Sequence, residues 1–260
     1  MSAALPDTVA DRAGINPVAK LAAASVLALG LIFSVDWVSA LTALVLEIAL
    51  LLVLRVPPRL MAVRGALVLL AAGLTAVTIL LYGQSSGTVY WHFLLITVSD
   101  GSITLAAATF LRVLAIALPS VLLFIDTDPT ELADGLGQVL RLPARFVVGA
   151  LAGLRLVGLL RQDWQYLGFA RRARGVADHA RLRRVAGQAF ALLVFAVRRG
   201  STLATAMEAR GFGAHPTRTW ARPSPFGGRE IALILAAFGI VAVAVGVSVG
   251  TGHWNFIGNL

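Results

Sequence analysis

Two identical tripeptides carry the most distinctive chemistry in this chain: Ala173-Arg174-Gly175 and Ala209-Arg210-Gly211, whose arginines lie 36 positions apart. A guanidinium is a rigid fork of donors that matches a carboxylate through paired hydrogen bonds. An arginine fixed at the tip of a structural element is therefore suited to plug an acidic groove. Three more charges, Glu47, Arg112 and Arg155, interrupt otherwise apolar runs. A charge at the centre of a membrane helix costs about 2.5–3.5 kcal/mol by insertion scales, so each needs a partner or a route to water. Glu47 alone suggests a proton or cation site, but no chain of carboxylates accompanies it. Arg112 either snorkels outward or takes an internal partner, for which Glu47 is the candidate.

Other chemistries find no support. His92, His179, His215 and His253 sit in different segments and form no ligand pair at helical spacing, so no metal site is expected. Cysteine is absent, which excludes disulfides, thiolate metal ligands and a thiol nucleophile. There is no Gly-rich phosphate loop ending in Lys-Ser/Thr, so the chain itself should bind no ATP and no cofactor. No nucleophile, base and orienting residue fall in a usable arrangement, which argues against a membrane-bound enzyme.

The elements that must position these residues follow from composition. Of 260 residues, 58% are hydrophobic and 13% charged, whereas a soluble domain carries roughly 45–50% and 25%. Apolar residues come in blocks of membrane-spanning length. Residues 18–35 and 38–54 are separated by Asp36-Trp37, with Lys20 placed to snorkel at the start of the first. Arg55-Val56-Pro57-Pro58-Arg59 stops the second. Residues 65–82 carry no charge. A Gly- and Ser-rich loop over 83–102 follows, in which 89–96 is too short to span and is expected at the interface with Tyr90 and Trp91 among headgroups. Residues 103–125 form a fourth block and 231–249 a fifth. The predicted fold is an all-α membrane protein with about five transmembrane helices. The expected organisation is an N-terminal tail (1–17), four spans (18–125), a module of long helices (126–228), a last span (229–250) and a short tail (251–260).

The net charge of +9 decides orientation. The breaks at Asp36 and at 83–102 hold no Lys or Arg. The break at 55–64 holds three, and residues 126–228 hold 15 of the 22 in the chain. Both basic segments fall on one side under five spans, and basic loops stay cytoplasmic. The N-terminus and the 126–228 module are thus expected inside the cell. Arg181-Leu182-Arg183-Arg184 could serve anionic lipid or nucleic acid, and beside membrane helices lipid is the expected use.

Within that module Asp128-Pro129, with Glu131 in the first turn, opens a helix that ends at Pro143. A second helix is expected over 144–174 and a third over 181–210, the latter with Val185, Ala189, Leu192, Ala196, Leu203 and Met207 as its packing stripe. Each ends in Ala-Arg-Gly. One such triplet reads as an ordinary glycine-capped helix end. Two, each closing a long cytoplasmic helix, read as a pair of arginine tips.

The chain resembles the transmembrane T component of energy-coupling factor (ECF) transporters, the family of EcfT and CbiQ. Asn16-Pro17-Val18-Ala19-Lys20-Leu21 is similar to that family's Asn-Pro-x-x-Lys-Leu opening. Residues 126–136 resemble the start of its coupling region, Arg155 matches an arginine in its first long coupling helix, and the two Ala-Arg-Gly triplets match its paired coupling motifs. After Arg155 the family often has an aromatic residue and then proline, where this chain has Leu156-Val157-Gly158.

The resemblance implies a non-catalytic scaffold in the cell membrane. Two ABC-type ATPase subunits would take Arg174 and Arg210 and hydrolyse the ATP. A membrane-embedded substrate-binding (S) subunit would deliver a vitamin or transition-metal ion. The competing reading is a self-contained secondary transporter or channel, which would call for internal repeats and several intramembrane polar groups.

Overall fold

The structure, a computed structural model, describes residues 14–34, 36–54, 58–83, 86–93, 96–124, 127–175, 181–213, 219–220, 222–252 and 254. Most of the N-terminal tail, Arg55-Val56-Pro57, Asp126, His179, His215 and His253 lie outside the described residues.

In chain order the elements are α1 (Pro17–Ile32), α2 (Trp37–Val53), α3 (Pro58–Tyr82), β1 (Val89–Phe93), β2 (Ile96–Ser99), α4 (Asp100–Phe124), α5 (Pro129–Gln138), α6 (Ala144–Ala173), α7 (Arg181–Ala209) and α8 (Gly228–Gly250). The protein is an all-α membrane protein, with one short hairpin among the described residues. Residues 61–82 of α3, α4, residues 182–209 of α7, and α8 are long and apolar enough to cross a membrane. The apolar helices α1 and α2 are shorter, at 16 and 17 residues. α7, expected outside the set of spans, is by length and apolarity among the helices that could cross a membrane.

The chain forms two compact units, residues 1–128 with 225–260, and residues 129–224. In the first, α1 packs on α8 and α4, α2 on α4 and α8, and α3 on α4. The core is built from small residues at helical spacing. Ala23, Leu27 and Leu31 of α1 meet Leu233, Ala237, Ile240 and Ala244 of α8, with Ala43 and Ala115 between them. Apolar side chains gain little from leaving lipid, so close backbone approach supplies the contact. Gly30 shows how close: a Cβ there would fall 2.5 Å from a methyl of Val241.

The helix ends are locally encoded. The Asn16 side chain accepts the Val18 N–H at 3.0 Å and Pro17 needs no partner at the first helical position. Ser99 and Ser102 cap α4 reciprocally, each hydroxyl accepting the other's N–H at 3.3 and 2.9 Å. That starts α4 at Asp100, three residues before the expected Ile103. The segment expected as an unstructured interfacial loop is an antiparallel hairpin pairing Trp91 with Val98 and His92 with Thr97. A short apolar run does not by itself separate strand from buried helix, and here the backbone pairing decides. Tyr90 and Trp91 are exposed on it. Lys20, expected to snorkel, is instead buried on the inward face of α1.

Candidate functional site

In the second unit α6 and α7 form an antiparallel pair. Asp163 of α6 holds Arg199 of α7 through two contacts, at 2.6 and 3.1 Å. The Arg171 guanidinium donates to the carbonyl of Arg184 at 3.4 Å. As α6 advances from 163 to 171, its partner residues on α7 run back from 199 to 184, which fixes the antiparallel sense. Arg174 lies eleven residues past Asp163 on α6, and Arg210 lies eleven residues past Arg199 on α7, in the opposite direction. At 1.5 Å per residue the two tips stand roughly 30–40 Å apart, at opposite ends of the pair.

Both tips have the same local construction. The Arg174 N–H donates to the Ala170 carbonyl at 3.3 Å, and Gly175, at φ +67°, donates to Arg172 at 3.0 Å. The Arg210 N–H donates to Ala206 and Met207, and Gly211, at φ +75°, donates to Glu208 at 2.9 Å. The Phe212 N–H then returns to the Met207 carbonyl at 3.0 Å, closing a Schellman-type end. A left-handed backbone costs an L-residue roughly 1–2 kcal/mol. A Cβ on Gly175 would meet nothing within 4 Å, so backbone conformation rather than crowding demands the glycine. Ala173, Arg174, Ala209 and Arg210 are exposed, and among the described residues neither guanidinium is in an ion pair.

The packing face of α7 matches the expected stripe in part: Leu192, Ala196 and Met207 are half-buried, whereas Val185, Ala189 and Leu203 are exposed. Gln188, outside that stripe, is buried, and Arg184, Gly187 and Ala191 are half-buried. Small and polar residues let the two helices meet at Gly187, where the Arg171 guanidinium lies 3.2 Å from the place a Cβ would take. The large apolar side chains face outward: Phe146, Val157 and Phe169 on α6, and Phe190, Leu193 and Val197 on α7 are all exposed. Such faces belong against lipid or a partner. Arg155 is exposed on α6 among them.

The intramembrane charges of the first unit are resolved individually. Arg112 takes internal partners, as one of the two expectations had it, but they are backbone carbonyls and not Glu47. Its Nε donates to the Leu31 carbonyl and its Nη2 to the Ile32 carbonyl, both at 2.9 Å, so it caps the C-terminal end of α1 from α4. A cation there also meets the negative end of the helix dipole. Glu47 is not its partner: neither carboxyl oxygen of Glu47 is hydrogen-bonded among the described residues.

Two polar clasps escaped sequence reading. Asp36 caps α2 by accepting the Ser39 N–H at 2.7 Å, and its carboxylate also accepts the hydroxyls of Ser34, Ser39 and Ser248. Burial pushes the Asp36 carboxyl up, but these four hydrogen bonds outweigh it and hold the group below the usual carboxylate range. At the other end of the bundle Glu230 accepts the Asn16 N–H at 3.2 Å and the Gly227 N–H at 2.8 Å, while the Asn16 amide donates to the Pro225 carbonyl. Both clasps join residues more than 200 positions apart, which only their residue types could have hinted at. No group of three or more potential metal ligands occurs among the described residues.

Comparison with known proteins agrees in kind. Residues 11–220 match the CbiQ family, described as cobalt transport protein. Three curated relatives are each an energy-coupling factor transporter transmembrane protein EcfT. The one from Limosilactobacillus fermentum is 28% identical over 189 residues, covering 66% of this chain and 70% of the relative. That from Exiguobacterium sibiricum is 30% identical over 171 residues, 60% of this chain and 65% of the relative. That from Lacticaseibacillus paracasei is 33% identical over 146 residues, 51% of this chain and 55% of the relative.

Proposed function

Because the chain belongs to the CbiQ family, the membrane components of energy-coupling factor transporters, we propose that it is the scaffold through which two separate ABC-type ATPase subunits drive import. Arg174 and Arg210 each enter an acidic groove on one ATPase subunit. The observation that carries this reading is their placement: two exposed guanidiniums, each set by a left-handed glycine, at opposite ends of one antiparallel helix pair. Tips so far apart address two subunits and not one. ATP is bound and hydrolysed by the partners, and this chain carries no cofactor.

The exposed apolar faces of α6 and α7 then serve two neighbours. One is lipid, and the other is a membrane-embedded substrate-binding subunit. Closure of the ATPases moves the arginine tips, and the helices pass that movement to the binding subunit, which releases a vitamin or transition-metal ion. The Asp163–Arg199 pair fixes the crossing of the helices, so the two tips move together. The chain sits in the cell membrane with its N-terminus and both triplets on the cytoplasmic side, in keeping with the basic loops.

Co-purification tests the proposal. The chain is expected to bring down two ATPase subunits, and Arg174→Glu with Arg210→Glu is expected to abolish their recovery. Undiminished recovery with the double variant, from protein that remains folded in the membrane, would refute the coupling role. Substrate uptake by the chain alone in liposomes would favour a self-contained transporter.

A further inference from the structure

One end of the α6–α7 pair is far more basic than the other. Where α6 closes and α7 opens, Arg171, Arg172, Arg174, Arg183 and Arg184 gather, and no carboxylate accompanies them among the described residues of 169–175 and 181–188. The contact of Arg171 with the Arg184 carbonyl sets the two helix ends side by side. Arg171 and Arg184 are half-buried, whereas Arg172, Arg174 and Arg183 are exposed. At the other end of α7, residues 202–211 hold only Glu208 and Arg210 as charges. Arginines gathered without counter-ions attract a polyanion or an anionic surface.

The surroundings decide which. Leu182, beside Arg183, is 85% exposed, the most exposed large apolar side chain among the described residues. Phe169 and Phe190 are exposed near the same arginines. From 182 to 209 α7 is apolar and long enough to cross a membrane, and none of its apolar 18-residue stretch is buried. An anionic phospholipid supplies both halves of what this surface lacks, a phosphate for the guanidiniums and acyl chains for the apolar side chains. A nucleic acid would need open aromatic rings on which to stack its bases. The Phe169 ring is already covered by the Arg172 guanidinium, 5.1 Å from its centre. That contact also holds Arg172 at the border between charged and apolar surface.

We propose that this end of the pair binds anionic phospholipid of the cytoplasmic leaflet, and that the Arg210 end does not. Arg172 and Arg183 hold the phosphate, and Leu182 and Phe190 lie against the acyl chains. A zwitterionic headgroup is disfavoured because its choline cation meets the same arginines. Arg174 stays with its ATPase groove. The proposal rests on the reading that the apolar face of α7 meets lipid, and not on the ATPases, which its test leaves out.

Because the chain has no cysteine, one fluorophore can be attached at Ala186→Cys and, in a second protein, at Ala204→Cys. Both positions are exposed. They are 18 residues apart, which is five helical turns, so they share one side of α7. The full chain is placed in phosphatidylcholine nanodiscs, and acyl-brominated phosphatidylglycerol or phosphatidylcholine, which quenches on contact, is titrated in. At Ala186 the phosphatidylglycerol is expected to half-quench at a mole fraction about 25-fold lower than the phosphatidylcholine, about fivefold for each arginine engaged. At Ala204 the two lipids are expected to match. Arg172→Gln and Arg183→Gln each remove about fivefold of the preference, and Arg183→Lys keeps it. Equal quenching by the two lipids at Ala186, or the same preference at Ala204, would overturn the site while leaving α7 in contact with lipid. No quenching by either lipid, or a fluorescence response to RNA in solution in its place, would overturn both the site and the lipid-facing reading beneath it.

Discussion

Replacing Gly175 with alanine isolates the geometry of one arginine tip from its charge. Gly175 holds φ +67° immediately after Arg174, and the space a Cβ would occupy is empty. No steric clash complicates the substitution, and the whole cost is the left-handed backbone, roughly 1–2 kcal/mol for an L-residue. If the helix end keeps its conformation, the fold loses that amount. If it relaxes, the Gly175–Arg172 hydrogen bond opens and Arg174 points elsewhere. In the second case the binding-ready tip falls by up to about 5- to 30-fold in population, since 1–2 kcal/mol corresponds to such a ratio. Asparagine tolerates the left-handed region, so Gly175→Asn should retain most of the affinity. The assay is titration of the detergent-purified chain with the ATPase subunits, alongside its thermal unfolding. Equal affinities for wild type, Gly175→Ala and Gly175→Asn would refute the claim that the glycine sets the tip.

Two other perturbations bear on the scaffold. Arg112→Met removes two hydrogen bonds to the end of α1 and should lower stability by about 2–4 kcal/mol, measured by thermal unfolding in detergent, with Arg112→Lys recovering part of the loss. Asp36, held below the usual carboxylate range by its serine partners, contributes stability that is complete above its unfolded value and is lost as pH falls through the lower folded one. Acid should therefore weaken the protein from about pH 4 downward, and an unfolding-versus-pH series on Asp36→Asn should lack that component.

The helix ends were legible because their chemistry is local. Gly175 and Gly211 mark the ends of α6 and α7, and Pro129 opens α5, all within a residue of the expected positions. Proline at a first turn and glycine in a left-handed cap act through their own backbone and need no distant partner. The hairpin 89–99 was missed because an apolar run of that length carries no decisive period. The partner of Arg112 was missed because a backbone carbonyl has no residue signature, and Glu47 was the only side chain that composition could offer. Of the six residues expected on the inward face of α7, Leu192, Ala196 and Met207 are half-buried, whereas Val185, Ala189 and Leu203 turn outward. In water the largest apolar residues would pack inside, but beside lipid or a partner they turn outward and Gly187 and Gln188 form the contact. The clasp of Asp36 with Ser248 spans 212 positions, and only the fold brings those residues together.

The absence of cysteine makes the most direct measurement clean. Ala173→Cys and Ala209→Cys place one thiol beside each arginine without removing it, and a short bifunctional reagent can then join the chain to whatever each tip touches in the assembled transporter. Expected is a covalent product in which the double variant carries two ATPase subunits and each single variant carries one. Cross-links from both thiols to the same ATPase subunit, to the chain itself, or to no protein at all would contradict a scaffold that plugs two motors at opposite ends of one helix pair.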